Sequence, residues 1–108
     1  MISFNISRMA LEVRFKDASL DGLESDRSAG GGYPPGMVKA FRKRMQFIRA
    51  AADERAFYEW KSLRLEKLKG DRSYQHSMRL DDQWRLIVEL KDQEANKTIV
   101  IIGIEDYH

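Results

Sequence analysis

Residues 74–90 read YQHSMRLDDQWRLIVEL, and their period decides the fold. Tyr74, His76, Met78 and Leu80 alternate with Gln75, Ser77 and Arg79. After Asp81, Asp82 and Gln83, the residues Trp84, Leu86, Val88 and Leu90 alternate with Arg85, Ile87 and Glu89. A period of two sends successive side chains to opposite faces of a strand, so this stretch predicts an antiparallel hairpin with one apolar face. Upstream, SLRLEKL (62–68) alternates in the same way. Downstream, KDQEANK (91–97) reads as a longer polar turn. TIVIIGI (98–104) is apolar on both faces and reads as a central strand with cover on both sides.

Before residue 62 the period is helical. Met37, Phe41, Met45, Ile48 and Ala52 recur at steps of three and four after Pro34 and Pro35. ADERAFYEW (52–60) predicts a second short helix with Phe57 and Trp60 turned inward, and Trp60 and Trp84 read as core. At the start, MISFN (1–5) suggests a short strand. ISRMALEVRF (6–15) suggests a helix capped by Ser7, with Met9, Val13 and Ile6 at helical spacing. Between them and the main helix, DASLDGLESDRSAGGGYPPG is rich in Gly, Ser, Asp and Pro, so 16–36 reads as a glycine-rich flexible loop. Its three glycines fit no nucleotide-binding pattern. The sum is an α+β fold: an N-terminal short strand and two to three helices packed on a mostly antiparallel, roughly four- to five-stranded sheet, in a single domain 1–108.

Composition narrows the function. A chain of 108 residues buries roughly two-thirds of its unfolded surface, enough for one core. There is no cysteine, which fits a cytoplasmic protein and removes disulfides and thiolate metal sites. No apolar run approaches the roughly 18 residues of a membrane span, and the start lacks a secretory signal pattern. The net charge is only +2, but Gly36–Ala52 holds five cations (Lys39, Arg42, Lys43, Arg44 and Arg49) and no acid. Trp60–Lys91 holds eight cations against five acids. Two basic zones suggest a polyanionic partner. A solvated polar face is the commoner reason for such helix cations, a phosphate backbone the alternative.

RLEKLKGDRSYQHSMRLDDQWRL (64–86), together with the closing EDYH (105–108), resembles the HigB branch of the RelE/ParE superfamily of bacterial toxins. The matching residues are Leu68, Lys69, Gly70, Asp71 and Arg72, then Ser77–Leu80, Asp82–Leu86, and finally Asp106, Tyr107 and His108. The likeness covers about the C-terminal half. Glu66 stands where some members carry a histidine. The resemblance implies a toxin of a type II toxin–antitoxin pair that cleaves messenger RNA on the ribosome. Its partner would be a HigA-like helix-turn-helix antitoxin; the toxin would be a monomer alone and a hetero-oligomer with that antitoxin.

Metal-free cleavage of this kind uses the RNA 2′-hydroxyl as nucleophile and needs a proton acceptor, a proton donor and cations. His108 suits either proton role, since an unperturbed imidazole titrates near about 6.5. Asp106 is placed to orient it or to act as base, Tyr107 to donate a hydrogen bond or stack on a base. Lys69 and Glu66 complete the catalytic candidates. Arg72, Arg79, Arg85 and His76 are candidates for holding substrate, His76 also reading as a core histidine. Lys39, Arg42, Lys43 and Arg49 are candidates for ribosomal RNA contact. No cofactor or metal is expected. Two alternatives remain open at this point: a ParE-like toxin acting on DNA gyrase, and an inactive antitoxin-binding module.

Overall fold

The computed structural model describes residues 11–26, 30, 32–93 and 96–106. The expected first strand at 1–5 and the closing pair Tyr107 and His108 lie outside them. Among the described residues a five-stranded sheet runs in the order β1-β5-β4-β3-β2: β1 Glu12–Phe15, β2 Glu66–Lys67, β3 His76–Arg79, β4 Trp84–Gln93 and β5 Asn96–Asp106. Only β1 and β5 pair in parallel; every other neighbour is antiparallel. The expected α+β class is therefore observed, with a mixed sheet and three α-helices.

The hairpin read from residues 74–90 forms as its period demands. Met78 faces Leu86 across β3 and β4, while Ser77 faces Ile87 and Arg79 faces Arg85 on the other side. The turn is fastened by Asp81, whose Oδ1 accepts from the backbone N–H of Gln83 (2.9 Å) and of Trp84 (2.8 Å). This is the side-chain turn that an aspartate stabilises. The polar stretch 91–97 differs from expectation. Long strands continue into it, Gln93 pairing with Asn96, so most of it belongs to the β4–β5 hairpin. Composition alone hid this, because an exposed strand end needs no apolar residues.

Three helices cover one face of the sheet. The second, α2 (Pro35–Ala50), begins with proline in the first turn, where a fixed φ suits the helix and no donor is lost. It buries Met37, Val38, Phe41, Met45 and Ile48 against Met78, Leu86, Val88, Ile99 and Ile101. The short α3 (Arg55–Glu59) adds Phe57, fully buried. Val13 and Phe15 lie in β1, where the end of a helix was expected; residues 6–10 of that expected helix, with Ile6, Ser7 and Met9, lie outside the described residues.

Part of the segment expected to be a flexible loop is also helical. Asp17 caps α1 (Ala18–Ser25) by accepting from the Ser19 backbone N–H at 3.0 Å, and Leu20 and Leu23, one turn apart, are buried. Polar punctuation around two leucines disguised an amphipathic turn as loop.

The opposite face of the sheet carries no helix among the described residues. β5 is central, between β1 and β4, but its second face is only half covered: Val100 and Gly103 are partly exposed. A bulge leaves Ile102 unopposed between the pairs Ile87–Gly103 and Val88–Ile101, so alternation restarts and both halves of β5 keep apolar residues toward the helices. Among the described residues, no helix supplies the expected cover on this second side, although Ile87 is buried there.

Candidate active-site cleft

The face without a described helix collects polar side chains around the buried Ile87. By register, Glu66 lies opposite Ser77, Arg79 opposite Arg85, and Arg85 opposite Glu105, so all five share that face. Beside them a cleft of about 720 Å³ opens, lined by Lys61, Ser62, Arg64, Glu66, Arg79 and Arg85, with Asp81 and Asp82 at its rim.

Arg85 is the floor. It is 5% exposed, and its guanidinium donates to Ser77 Oγ (2.8 Å), to the Ser77 carbonyl (3.1 Å) and to the Arg64 carbonyl. Glu66 Oε1 lies 3.9 Å away. A buried cation is tolerated only when its donors are met this way. Arg85 was expected to point at a ligand; it is instead a clamp joining β3, β4 and the segment before β2. That segment departs from the strand expected over 62–68. Residues Lys61–Leu63 form a 3-10 turn that buries Leu63, and only Glu66–Lys67 pair as strand. Arg79 remains at the cleft, ion-paired to the exposed Asp82.

The KGDR turn, a 3-10 turn at Gly70–Arg72, is tied to the last described strand. Arg72 forms a two-pronged bridge to Glu105, at 3.3 Å and 2.6 Å, and its Nε donates to Gln75 Oε1 at 3.1 Å. Gly70 takes φ 69°, the left-handed conformation that lets the turn close. Lys69, the residue before the turn, is exposed. Asp106 ends β5, accepting from Gln83 Nε2 at 3.1 Å. The structure thus brings Glu66, Arg72, Arg79 and Arg85 to one face, while Asp106, opposite Trp84, falls by register on the helix-covered side at the end of β5. Tyr107 and His108 lie outside the described residues.

His76 does not join them. It pairs with Val88 on the helix-covered side, packed edge-on against Tyr58 with ring centroids 6.4 Å apart. Its Nδ1 is buried without a hydrogen-bond partner. Burial, and secondarily the Lys67 charge, hold the imidazole below its ordinary pKa, against a small opposing effect of Glu54. Strand alternation excludes it from the cleft, as the core reading required.

The helix cations divide. Arg42 reaches back to α1, donating to the Leu23 carbonyl (2.9 Å) and the Asp26 carbonyl (2.8 Å). Arg49 grips Glu24 with two bonds of 2.7 and 2.8 Å. Both were expected to meet RNA; both instead fasten α1. Lys39 and Lys43 are exposed and, with Arg44, edge a second, smaller groove over Trp60 and Leu80. Trp60, expected in the core, is 40% exposed: Phe47 lies against it at 4.3 Å and the Arg44 guanidinium at 5.1 Å. Lys61 and Arg64 were missed as site residues, because only the 3-10 turn brings them to the cleft.

Among the described residues no group of three His, Asp or Glu is arranged to hold a metal ion, and no helix is long and apolar enough to cross a membrane. Helices on one face of a small mixed sheet make an α+β fold shared with known toxins. Residues 13–108 match the family described as HigB-like toxin, the RelE-like toxin of the type II toxin–antitoxin system HigB, and the chain belongs to that family. Among solved structures, a YoeB/ParE toxin from Agrobacterium tumefaciens has the same fold, with a TM-score of 0.54 and 15% identity over 91% of this chain and all (100%) of that one. The YoeB–YefM complex from Staphylococcus aureus is similar at a TM-score of 0.46 and 17% identity, covering 91% of this chain and 97% of that one. No curated protein matches the chain.

Proposed function

We propose that this toxin is a ribosome-dependent endoribonuclease that inhibits translation by cutting messenger RNA. The observation that carries the reading is the Arg72–Glu105 bridge. It ties the KGDR turn to the strand that precedes Tyr107 and His108 in the sequence, which supports a reading in which Lys69 and the closing residues serve one substrate.

The reaction needs no cofactor. The 2′-oxygen attacks the adjacent phosphorus as Glu66 or His108 takes its proton; the bond from phosphorus to the 5′-oxygen breaks, and the other group returns a proton to the leaving oxygen. A 2′,3′-cyclic phosphate and a 5′-hydroxyl result. Lys69 and Arg72 stabilise charge on the phosphoryl oxygens, Tyr107 orients a base or the phosphate, and Asp106 positions the imidazole. Arg79, released from Asp82 by an entering phosphate, holds the next nucleotide.

The family description supports a cognate antitoxin, for which a HigA-like helix-turn-helix protein is the candidate, with a hetero-oligomer as the resting state and the cytoplasm as the site of action. Lys39 and Lys43 remain candidates for ribosomal RNA contact. The test is induction of the toxin followed by mapping of message 5′ ends in polysomes. Cuts within translated codons that disappear with Lys69→Ala and His108→Ala are expected. Intact polysomal message together with growth arrest would refute the assignment.

A further inference from the structure

The cleft holds two cations that the proposed chemistry does not use. Lys61 and Arg64 line it, and among the described residues their side chains form no ion pair, whereas Arg79 is paired with Asp82 and Arg85 is committed to the backbone. Arg64 also has the one positive φ of any described non-glycine residue, 49°. That left-handed conformation crowds the β-carbon and is avoided by side chains as large as arginine. Here it is held from both ends. The Arg64 N–H donates to the Lys61 carbonyl at 3.1 Å, and the Arg64 carbonyl accepts from the buried Arg85. A glycine would satisfy this backbone without strain, so the guanidinium is kept at a conformational cost. Strain of this kind, fixed by a buried clamp at the lip of a polar cleft, points to a ligand.

We propose that Lys61 and Arg64, with the Ser62 hydroxyl between them, form a phosphate-binding ridge that holds the RNA backbone beside the scissile nucleotide. The inference rests on the nuclease reading for the identity of its ligand. The site is open and mostly polar, which suits a sugar–phosphate chain more than the apolar side chains of a peptide. Arg85 is its positioning residue, acting through the Arg64 carbonyl.

The test is fluorescence anisotropy of the whole toxin with a short fluorescein-labelled 2′-O-methyl RNA, which binds but cannot be cut because its nucleophile is blocked. Arg64→Gly relieves the left-handed strain, so it folds at least as well as the parent by thermal melting. It is expected to raise the Kd about tenfold. Lys61→Ala with Arg64→Gly is expected to reduce the slope of log K against log salt by about 1.4, two lost phosphate contacts on a single strand. Lys16→Ala, beyond β1 at the opposite sheet edge, leaves both unchanged. Parental affinity and slope in the double variant would overturn the ridge, as would a parent that does not bind RNA. An oligoglutamate peptide displacing the RNA at equal charge concentration would overturn it in favour of an acidic protein partner. Message cleavage is read separately: a toxin that binds RNA through the ridge yet leaves polysomal message intact refutes the nuclease reading and keeps the ridge.

Discussion

Arg85 shows how one side chain does two jobs at residue scale: it stabilises the fold and shapes the cleft. Its guanidinium meets two carbonyls and a hydroxyl, so Arg85→Ala strands the Ser77 and Arg64 carbonyls in a site from which the donor is gone. The expected cost is about 2–4 kcal/mol, seen as a lower urea midpoint with an unchanged m-value. Arg85→Lys restores the charge but not the planar fork, and recovers only part of that loss. His76 gives the pH dependence. Its folded pKa lies below the unfolded value of about 6.5, so the fold favours the neutral ring. Below that pH the unfolded chain binds a proton that the native state refuses, and stability falls as pH drops toward the folded value. Thermal melting at pH 8 and pH 5.5 is expected to show a smaller acid loss in His76→Phe, which keeps the packing on Tyr58 and removes the buried unpaired nitrogen. An equal loss in both proteins would assign the acid sensitivity elsewhere.

Among the elements, α1 is the one most dependent on a few contacts. Leu20 and Leu23 bury its apolar side, while Arg42 and Arg49 reach across from α2 to its C-terminal half. Arg42→Ala removes two donors to backbone carbonyls and is expected to cost about 1–2 kcal/mol. Amide exchange should quicken in residues 18–25 and stay unchanged in β4; uniform quickening would mean that α1 does not open alone. The same element marks where sequence reasoning fails. The 74–90 hairpin and the α2 stripe were legible because each repeats one period over enough residues to fix a face. Eight residues of α1 hold two large apolar side chains, Leu20 and Leu23, too few to outweigh the surrounding Asp, Ser and Gly. The site was legible in part for the same reason. Alternation put Arg79 and Arg85 on the bare face, and resemblance picked out Lys69 and Arg72. Whether a cation is free or engaged depends on partners far away in the chain, such as Asp26, Glu24 or Glu105. No local pattern records them.

For the molecule as a whole, the β4–β5 pair is the frame on which everything else is hung. Ile101 lies opposite Val88 and beside Phe15, inside the helix-covered core. Ile101→Ala is expected to cost about 2–5 kcal/mol through the cavity it leaves, measured by chemical denaturation; a loss below about 1 kcal/mol would show that the core closes around the gap. The order of the strands has a consequence for how the toxin is made. Residues 96–106 form the strand next to β1, which lies more than eighty positions earlier at residues 12–15. While the chain is still being synthesised, β1 has nothing to lie against and β4 lacks one neighbour. The sheet closes only when β5 has emerged, so a half-finished chain holds its first strand and its hairpin as two pieces with nothing yet to join them.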